Sequence, residues 1–414
     1  MNTYDGLLAS LEVSPQLAWQ VAQRFAGAMA GNPDHCGLKM LDSQFQPPCG
    51  REQGEALALD FGGTNLRFLL IRVNNRSFQV LKQKVVSIRP EHGGWNLASE
   101  AVDGEQLFDF IAAQLQEFAD PGTPYQLGHC FSFPFMQISR NSGLLLEWTK
   151  EIKTRGVVGQ DVSLMLSQAL QRRGLDHIQP VAILNDTVAT LLCAAYLDND
   201  ADVGSICGTG FNACFRDLSG RIINIEGGNF FADILPVNRY DLELDRRSHN
   251  QGQQRLEKMV SGAYLGELFR VMLLDRHLWP SISQRFASPN SLDSRWISGL
   301  LSGEESLLAA LGIDPDSAEQ KRLLNLAQAV VVRSARLIAA VYTGIIQHID
   351  PHWECRHVIS VDGSLYERMP LFADHIRNTI DEIASDRAYR AEIRFIKDSS
   401  GLGAALAALM EARQ

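Results

Sequence analysis

Three short runs of the sequence carry residue types that can do chemistry. Asp60-Phe61-Gly62-Gly63-Thr64-Asn65 sets a carboxylate, two adjacent glycines and a hydroxyl at the end of the apolar run 56–60. Glycines let a backbone turn sharply and aim successive N–H groups into one concavity, and a hydroxyl and a carboxylate beside them can serve phosphate oxygens and a hydrated Mg²⁺. The same residues also read as a simple Gly-Gly hairpin turn. Gly208-Thr209-Gly210-Phe211-Asn212-Ala213 is a second glycine loop that formally fits the G-x-G-x-x-A dinucleotide pattern. That pattern needs a helix straight after the turn to hold a pyrophosphate. Here Cys214-Phe215-Arg216-Asp217 runs into a Leu218-Ser219-Gly220 turn and further β-type sequence, so a Rossmann site is excluded. No G-x-x-x-x-G-K-[ST] run occurs either, and the pair of loops suggests one nucleotide gripped by its phosphates from two sides. Third, Asn185-Asp186-Thr187 follows the apolar run 181–184 and precedes a helical pattern. It reads as a helix N-cap and equally as a carboxylate at the C-terminal end of a strand, where open α/β sheets bind ligands. An Asp, with a reference pKa of about 3.9, is ionised at neutral pH and can take the proton of an attacking hydroxyl. The two readings are compatible.

Further polar groups sit in apolar settings: Ser132 within Phe131-Ser132-Phe133-Pro134, Thr149-Lys150 after 144–148, Glu226 between Ile225 and Gly227-Gly228, and Glu257-Lys258 at the head of a helical run. Each alone reads as a capped turn or a solvated charge. Together they are the kind of collection that hydrogen-bonds several hydroxyls of a sugar and rejects analogues lacking them.

The elements that must position these residues alternate between helix and strand. Ser14-Pro15 starts a helix whose apolar positions Leu17, Val21, Phe25 and Ala28 recur at helical spacing, ending near Gly31. Residues 42–54 read as an irregular linker, and 56–60 and 66–73 as strands around the first glycine turn. Helical signals follow at 105–119, 162–172 and 187–197, and strand signals at 127–133 and 181–185. A second strand, glycine turn, strand unit spans 203–215, with a short strand at 221–225. It resembles a distant duplication of the first, without enough identity to define a repeat. Helical patterns dominate 255–350, and strands at 358–361 and 392–396 precede a final Ala-rich helix at 403–413. The chain is α/β.

At 414 residues it has room for two or three domains, and 45% hydrophobic with 21% charged residues is a globular balance. Against 38 basic residues stand 48 acidic ones, a net charge of -10 with no Lys/Arg run, which argues against nucleic acid as a partner. The seven cysteines form no Cys-x-x-Cys pair, and they read as thiols of a reducing compartment, so a cytoplasmic location is expected. The start of the sequence shows no secretory pattern, and the apolar segment 327–349 contains Arg333 and Arg336, which predicts a buried helix rather than a membrane span.

The run Leu57-Ala58-Leu59-Asp60-Phe61-Gly62-Gly63-Thr64-Asn65-Leu66-Arg67 resembles the first phosphate-binding loop of the eukaryotic-type hexokinases, glucokinase included. The resemblance continues in order through Phe131-Ser132-Phe133-Pro134, Trp148-Thr149-Lys150, Leu184-Asn185-Asp186-Thr187 and Gly208-Thr209-Gly210-Phe211-Asn212-Ala213-Cys214. It closes with Asn224-Ile225-Glu226-Gly227-Gly228, 257–262, Val361-Asp362-Gly363-Ser364-Leu365-Tyr366 and Gly401-Leu402-Gly403-Ala404-Ala405. It covers roughly residues 38–410 as one catalytic unit.

The resemblance implies a two-domain actin-like ATPase (ribonuclease H-like) fold with the active site in the interdomain cleft. It implies a small domain of 54–190 plus 403–414 and a large domain of 1–53 plus 191–402. It also implies ATP-dependent phosphorylation of a hexose, D-glucose first, at the 6-hydroxyl, feeding glycolysis. Carried over residue by residue, Asp186 is the general base, and Lys150 neutralises charge near the transferred phosphoryl. Ser132, Thr149, Lys150, Asn185, Asp186, Asn212, Glu226 and Glu257 hold the hexose. Asp60, Gly62, Gly63, Thr64, Asn65, Arg67 and the Gly208-Thr209-Gly210 turn hold the phosphates, and Gly363-Ser364 the adenosine. ATP and Mg²⁺ are the implied cofactors, the ion without a dedicated protein site and reached by Asp60 through water. A monomer or homodimer with no membrane partner is expected. The sequence departs from the family at Gly227 (usually Trp), Phe211 and Leu402 (commonly Lys), and the first two bear on hexose preference. A sugar-binding regulator on the same fold is the competing reading. Asp186, Thr64 and Lys150 favour the enzyme, because a sensor needs no base and phosphate loop together. A transcriptional repressor is disfavoured, since no helix-turn-helix signal stands before residue 50.

Overall fold

Every residue from Ala56 to Phe61 is buried, as expected of a strand with apolar neighbours on both faces. In the computed structural model, which describes residues 3–31, 33–90, 94–149, 152–279 and 286–411, this segment is the centre of a five-stranded sheet. The strand order is Ser77–Ser87, Asn65–Asn74, Gly54–Phe61, Tyr125–Phe131, Ile178–Leu184. The first three run antiparallel and the last two join parallel. The chain divides into two compact units, and this sheet belongs to the one comprising Met40–Ser205, Ala213–Ile225 and Ile396–Gln414, here the sheet unit.

The two faces of the sheet are covered differently. Leu57, Leu59, Phe61, Leu127 and Phe131 share one core with Leu107, Phe108, Ile111 and Leu115 of the helix Gly104–Phe118 and with Leu166 of the helix Val162–Arg172. Both helices start on an aspartate cap: Asp103 accepts from the Gln106 N–H at 2.9 Å, and Asp161 from Ser163 at 3.0 Å and Leu164 at 3.1 Å. The other face carries small residues because a helix backbone approaches it. A Cβ on Gly128 would collide with the carbonyl of Ala404 in the Ala-rich helix Ser399–Glu411. The sequence missed the strand Ser77–Ser87 and the hairpin Phe135–Ser139/Ser142–Leu145. The first is an edge strand with no fully buried residue and rich in Gln and Lys, so it lacks the apolar signal that marks central strands.

The other unit, Met1–Lys39, Ile206–Asn212 and Glu226–Phe395, is mainly helical. The helix Pro15–Ala30 is capped by Ser14, whose hydroxyl accepts from Leu17 N–H at 3.2 Å. It packs on the 32-residue helix Ala318–Ile349, where a Cβ on Gly344 would lie 2.7 Å from the Ala22 carbonyl. That long helix is apolar enough to cross a membrane, yet 83% of its apolar window is buried within the protein. Its arginines explain why: Arg333 makes a two-pronged ion pair with Asp241 at 3.0 and 2.8 Å, and Arg336 donates to the Val13 carbonyl at 2.7 Å. Strands His357–Asp362 and Ala391–Phe395 pair in parallel in this unit. The second glycine hairpin is present as strands Ala201–Cys207 and Phe211–Arg216, the latter antiparallel to Ile222–Asn224.

Candidate active site

In the sheet unit, the first glycine turn follows from the antiparallel register of its strands, with Asp60 opposite Arg67 and Phe61 opposite Leu66. Gly62 N–H closes the turn onto the Asn65 carbonyl at 3.2 Å, and the Thr64 carbonyl accepts from Ile88 N–H at 3.1 Å. Gly62, Gly63, Asn65 and Arg67 are half-buried, and the Thr64 side chain is exposed. Asp60 is buried at the carboxyl end of its strand; the Ser400 hydroxyl donates to its Oδ2 at 3.0 Å, and the Arg67 guanidinium lies 4.0 Å from that oxygen and 2.5 Å from Asp398.

One strand over, Cys130 stands beside Asp60 in the parallel register, and Ser132 N–H donates to the Phe61 carbonyl at 3.2 Å. Ser132 is thereby a buried hydroxyl just past the end of the sheet. Burial pushes the Cys130 thiol well up, and the carboxylates of Asp60 and then Asp186 add to it, so all three groups share one neighbourhood. Asn185 caps the helix Asp186–Leu197: its Oδ1 accepts from Thr187 N–H at 3.0 Å and from the Thr187 hydroxyl at 2.8 Å. Thr187 N–H also donates to Asp186 Oδ1 at 2.9 Å. The cap and the strand-end carboxylate are therefore adjacent residues, and both are buried. Burial pushes the Cys214 thiol up to about 12, against hydrogen bonds from Thr187 and Gly204 and with the Asp186 charge adding. Thr149 is half-buried beside Trp148, whose ring packs on Phe133 at 4.8 Å. Lys150 lies outside the described residues.

The helical unit assembles a different group. Glu226 adopts a left-handed backbone, φ 55° and ψ 49°, and is buried. Asn212 reaches it twice: its Nδ2 donates to Glu226 Oε1 at 3.4 Å, and its Oδ1 accepts from Gly227 N–H at 3.1 Å. The Glu257 carboxylate accepts from Phe211 N–H at 3.1 Å, so Asn212, Glu226 and Glu257 converge. Gly228 permits this closeness, since a Cβ there would lie 2.8 Å from the Phe211 carbonyl and 3.1 Å from Glu257 Cβ.

The second glycine turn is backed by a helix. The carbonyls of Gly208 and Thr209 accept from the N–H groups of Gly262 and Ala263 at 2.9 and 3.0 Å, at the start of the helix Gly262–Leu273. Gly208 N–H turns back to the Gly210 carbonyl at 3.0 Å. Gly363 lies against this turn at φ 125°, where a Cβ would strike the Cys207 carbonyl. Gly208 is buried, Gly210 and Gly363 are half-buried, and the Thr209 and Ser364 side chains are exposed. Among the described residues no group of three or more His, Cys, Asp and Glu is placed to hold a metal ion. Sequence reasoning missed Cys130, Cys214, Asp398 and Ser400. Only the Asp398-Ser399-Ser400 run ahead of the last helix offered a signal, that of an N-terminal cap.

The solved structures that this chain resembles place it among the two-domain sugar kinases of the actin-like ATPase fold. Hexokinase family profiles match residues 3–196 and 202–410. The chain is 36% identical to rice hexokinase-7 over 435 residues, covering 94% of this chain and 92% of that one. It is 34% identical to horse hexokinase-2 over 97% of its own length, but spans only 47% of that protein. The hexokinase of Schistosoma mansoni, solved with glucose, superimposes with a TM-score of 0.85 at 28% identity, covering 98% of both chains. The chain belongs to the hexokinase family.

Proposed function

We propose that the protein transfers the γ-phosphoryl group of MgATP to the 6-hydroxyl of a hexose, D-glucose first, giving hexose 6-phosphate and ADP. The observation that carries this reading is the position of Asp186, buried at the start of its helix, oriented by Thr187 N–H and sharing its surroundings with Asp60.

Asp186 accepts the 6-hydroxyl proton as that oxygen attacks phosphorus. Asn212, Glu226, Glu257, Ser132, Thr149, Lys150 and Asn185 take the sugar hydroxyls. The backbone N–H groups of the two glycine turns other than those of Gly62 and Gly208, which close the turns, stabilise charge on the transferred group together with the Thr64 and Thr209 hydroxyls. Lys150 adds positive charge there, and Arg67 holds the Asp60 side of the first loop. Gly363 and Ser364 receive the adenosine. Mg²⁺ arrives with ATP as substrate; such an ion keeps several waters and needs only one or two carboxylates, and Asp60 suits a contact through water. All seven cysteines are thiols, which suits the reducing cytoplasm.

Initial rates with glucose, mannose, fructose and glucosamine at fixed MgATP test the reading. ADP formation with at least one sugar, glucose foremost, is expected. Absence of ADP with all four overturns it.

A further inference from the structure

We propose that the buried Lys258–Asp245 ion pair is a positioning element for Glu257 and so sets the sugar affinity of the site. This rests on the hexokinase reading above. Glu257 sits on a helix of only six residues, Arg255–Val260, too short to hold its own shape. Its orientation is therefore imposed from outside. Leu256 N–H donates to the Phe230 carbonyl at 3.2 Å on one side, and Lys258 anchors the other.

Lys258 is 3% exposed, and its ammonium group donates to Asp245 Oδ1 at 2.6 Å and to the Asn250 carbonyl at 2.8 Å. Asp245 in turn accepts from Gly252 N–H, at 3.0 Å to Oδ1 and 3.1 Å to Oδ2. One carboxylate thus ties the helix Arg239–Arg247, the loop after it and the helix bearing Glu257 into a single unit.

The loop needs such a tie. Gly252 has φ 82°, and Gln254, a non-glycine residue, has φ 49° immediately before the helix. A left-handed conformation at a residue with a side chain persists only where its surroundings enforce it. The side chain of Asn250 donates to that of Gln254, so the strained residue is held by the same loop that Lys258 and Asp245 fix.

Net stability is a poor explanation for the pair. Burying an ion pair costs desolvation that its attraction barely offsets, and apolar replacements are often as stable. A fixed geometry is what an ion pair supplies and an apolar pair does not. The beneficiary is the neighbouring carboxylate of Glu257, which takes Phe211 N–H at 3.1 Å and so also fixes the strand residue that precedes Asn212.

The test compares wild type, Lys258→Met and the double variant Lys258→Met/Asp245→Leu, which leaves no uncompensated charge and keeps the test alive should the single variant not fold. Steady-state KM for glucose, KM for ATP and kcat are measured with thermal melting, alongside direct glucose binding by calorimetry without nucleotide. The expected result is a glucose KM and Kd raised by about 10-fold or more, the scale of one hydrogen bond to a charged group, with KM for ATP unchanged. A control at another buried pair of the same unit, Arg270–Glu267 at 2.6 Å, as Arg270→Met/Glu267→Leu, should leave glucose affinity unchanged. Glucose affinity equal to wild type in the folded double variant, or an equal loss in the control, overturns the positioning role. A wild-type protein that forms no ADP with any hexose overturns the activity on which the role rests. Wild-type turnover with unchanged variants overturns the inference alone.

Discussion

The two units carry different kinds of polar group. The sheet unit carries charge: Asp60 and Asp186 are buried carboxylates at strand ends, Asp60 accepting from the Ser400 hydroxyl and Asp186 from Thr187 N–H. The helical unit carries a shaped turn and a neighbouring polar cluster. Its glycine turn carries no acid, is backed by the Gly262 and Ala263 N–H groups and is closed by Gly363, while Asn212, Glu226 and Glu257 form a hydrogen-bonded cluster. On this division, changes in the sheet unit fall on turnover and changes in the helical unit fall on affinity.

The largest effect belongs to the sheet unit. Asp186→Ala lowers kcat by at least about 10²-fold, the range for loss of a general base, with the far-ultraviolet circular dichroism spectrum intact. A folded variant with near-normal turnover breaks the comparison at its root. On the other side, Glu226→Gln raises the glucose KM by about 10- to 100-fold, the value of a hydrogen bond to a charged group, and moves kcat less than KM; a fall in kcat alone would place Glu226 with the charge-handling residues.

Gly363→Ala tests shape. At φ 125° and ψ 149° the position is glycine territory, and the added methyl meets the Cys207 carbonyl. The variant loses about 1–3 kcal/mol of stability, read from denaturant unfolding, and its KM for ATP rises. Unchanged unfolding and ATP affinity would show that the turn tolerates a different shape.

The smallest effect concerns the sheet beneath the first loop. His129 is fully buried opposite Leu59, and neither ring nitrogen has a hydrogen-bond partner among the described residues. Burial pushes its pKa from 6.5 down to about 3. The imidazole is neutral when folded, whereas the unfolded chain binds a proton below pH 6.5, so the stability tied to this group is intact above pH 6.5 and is lost as pH falls toward 3. His129→Phe removes two unsatisfied polar atoms, raises stability by about 1 kcal/mol, and flattens the acid limb of a Tm-against-pH curve. An unchanged acid limb would show that His129 contributes nothing to it.

The hairpins were legible because Gly62-Gly63 and Gly208-Thr209-Gly210 interrupt short apolar runs, a local signal. The helix Ala318–Ile349 was legible as buried because two arginines punctuate its apolar face. The edge strand Ser77–Ser87 was not, since its residues are half solvated and its strand identity comes from pairing with Asn65–Asn74. Within the site, sequence order named Asp60 but not Ser400, which lies 340 positions away and meets it only through the fold. Nor could any residue pattern mark the left-handed turn at Glu226, because the sequence has a glutamate where such a backbone favours glycine.

The central claim is phosphoryl transfer to one particular hydroxyl. Phosphorus-31 NMR of purified protein with glucose and MgATP tests it most directly. Glucose 6-phosphate appearing in step with ADP is the predicted result. ADP without a sugar phosphate, or an ester at another carbon, would contradict it.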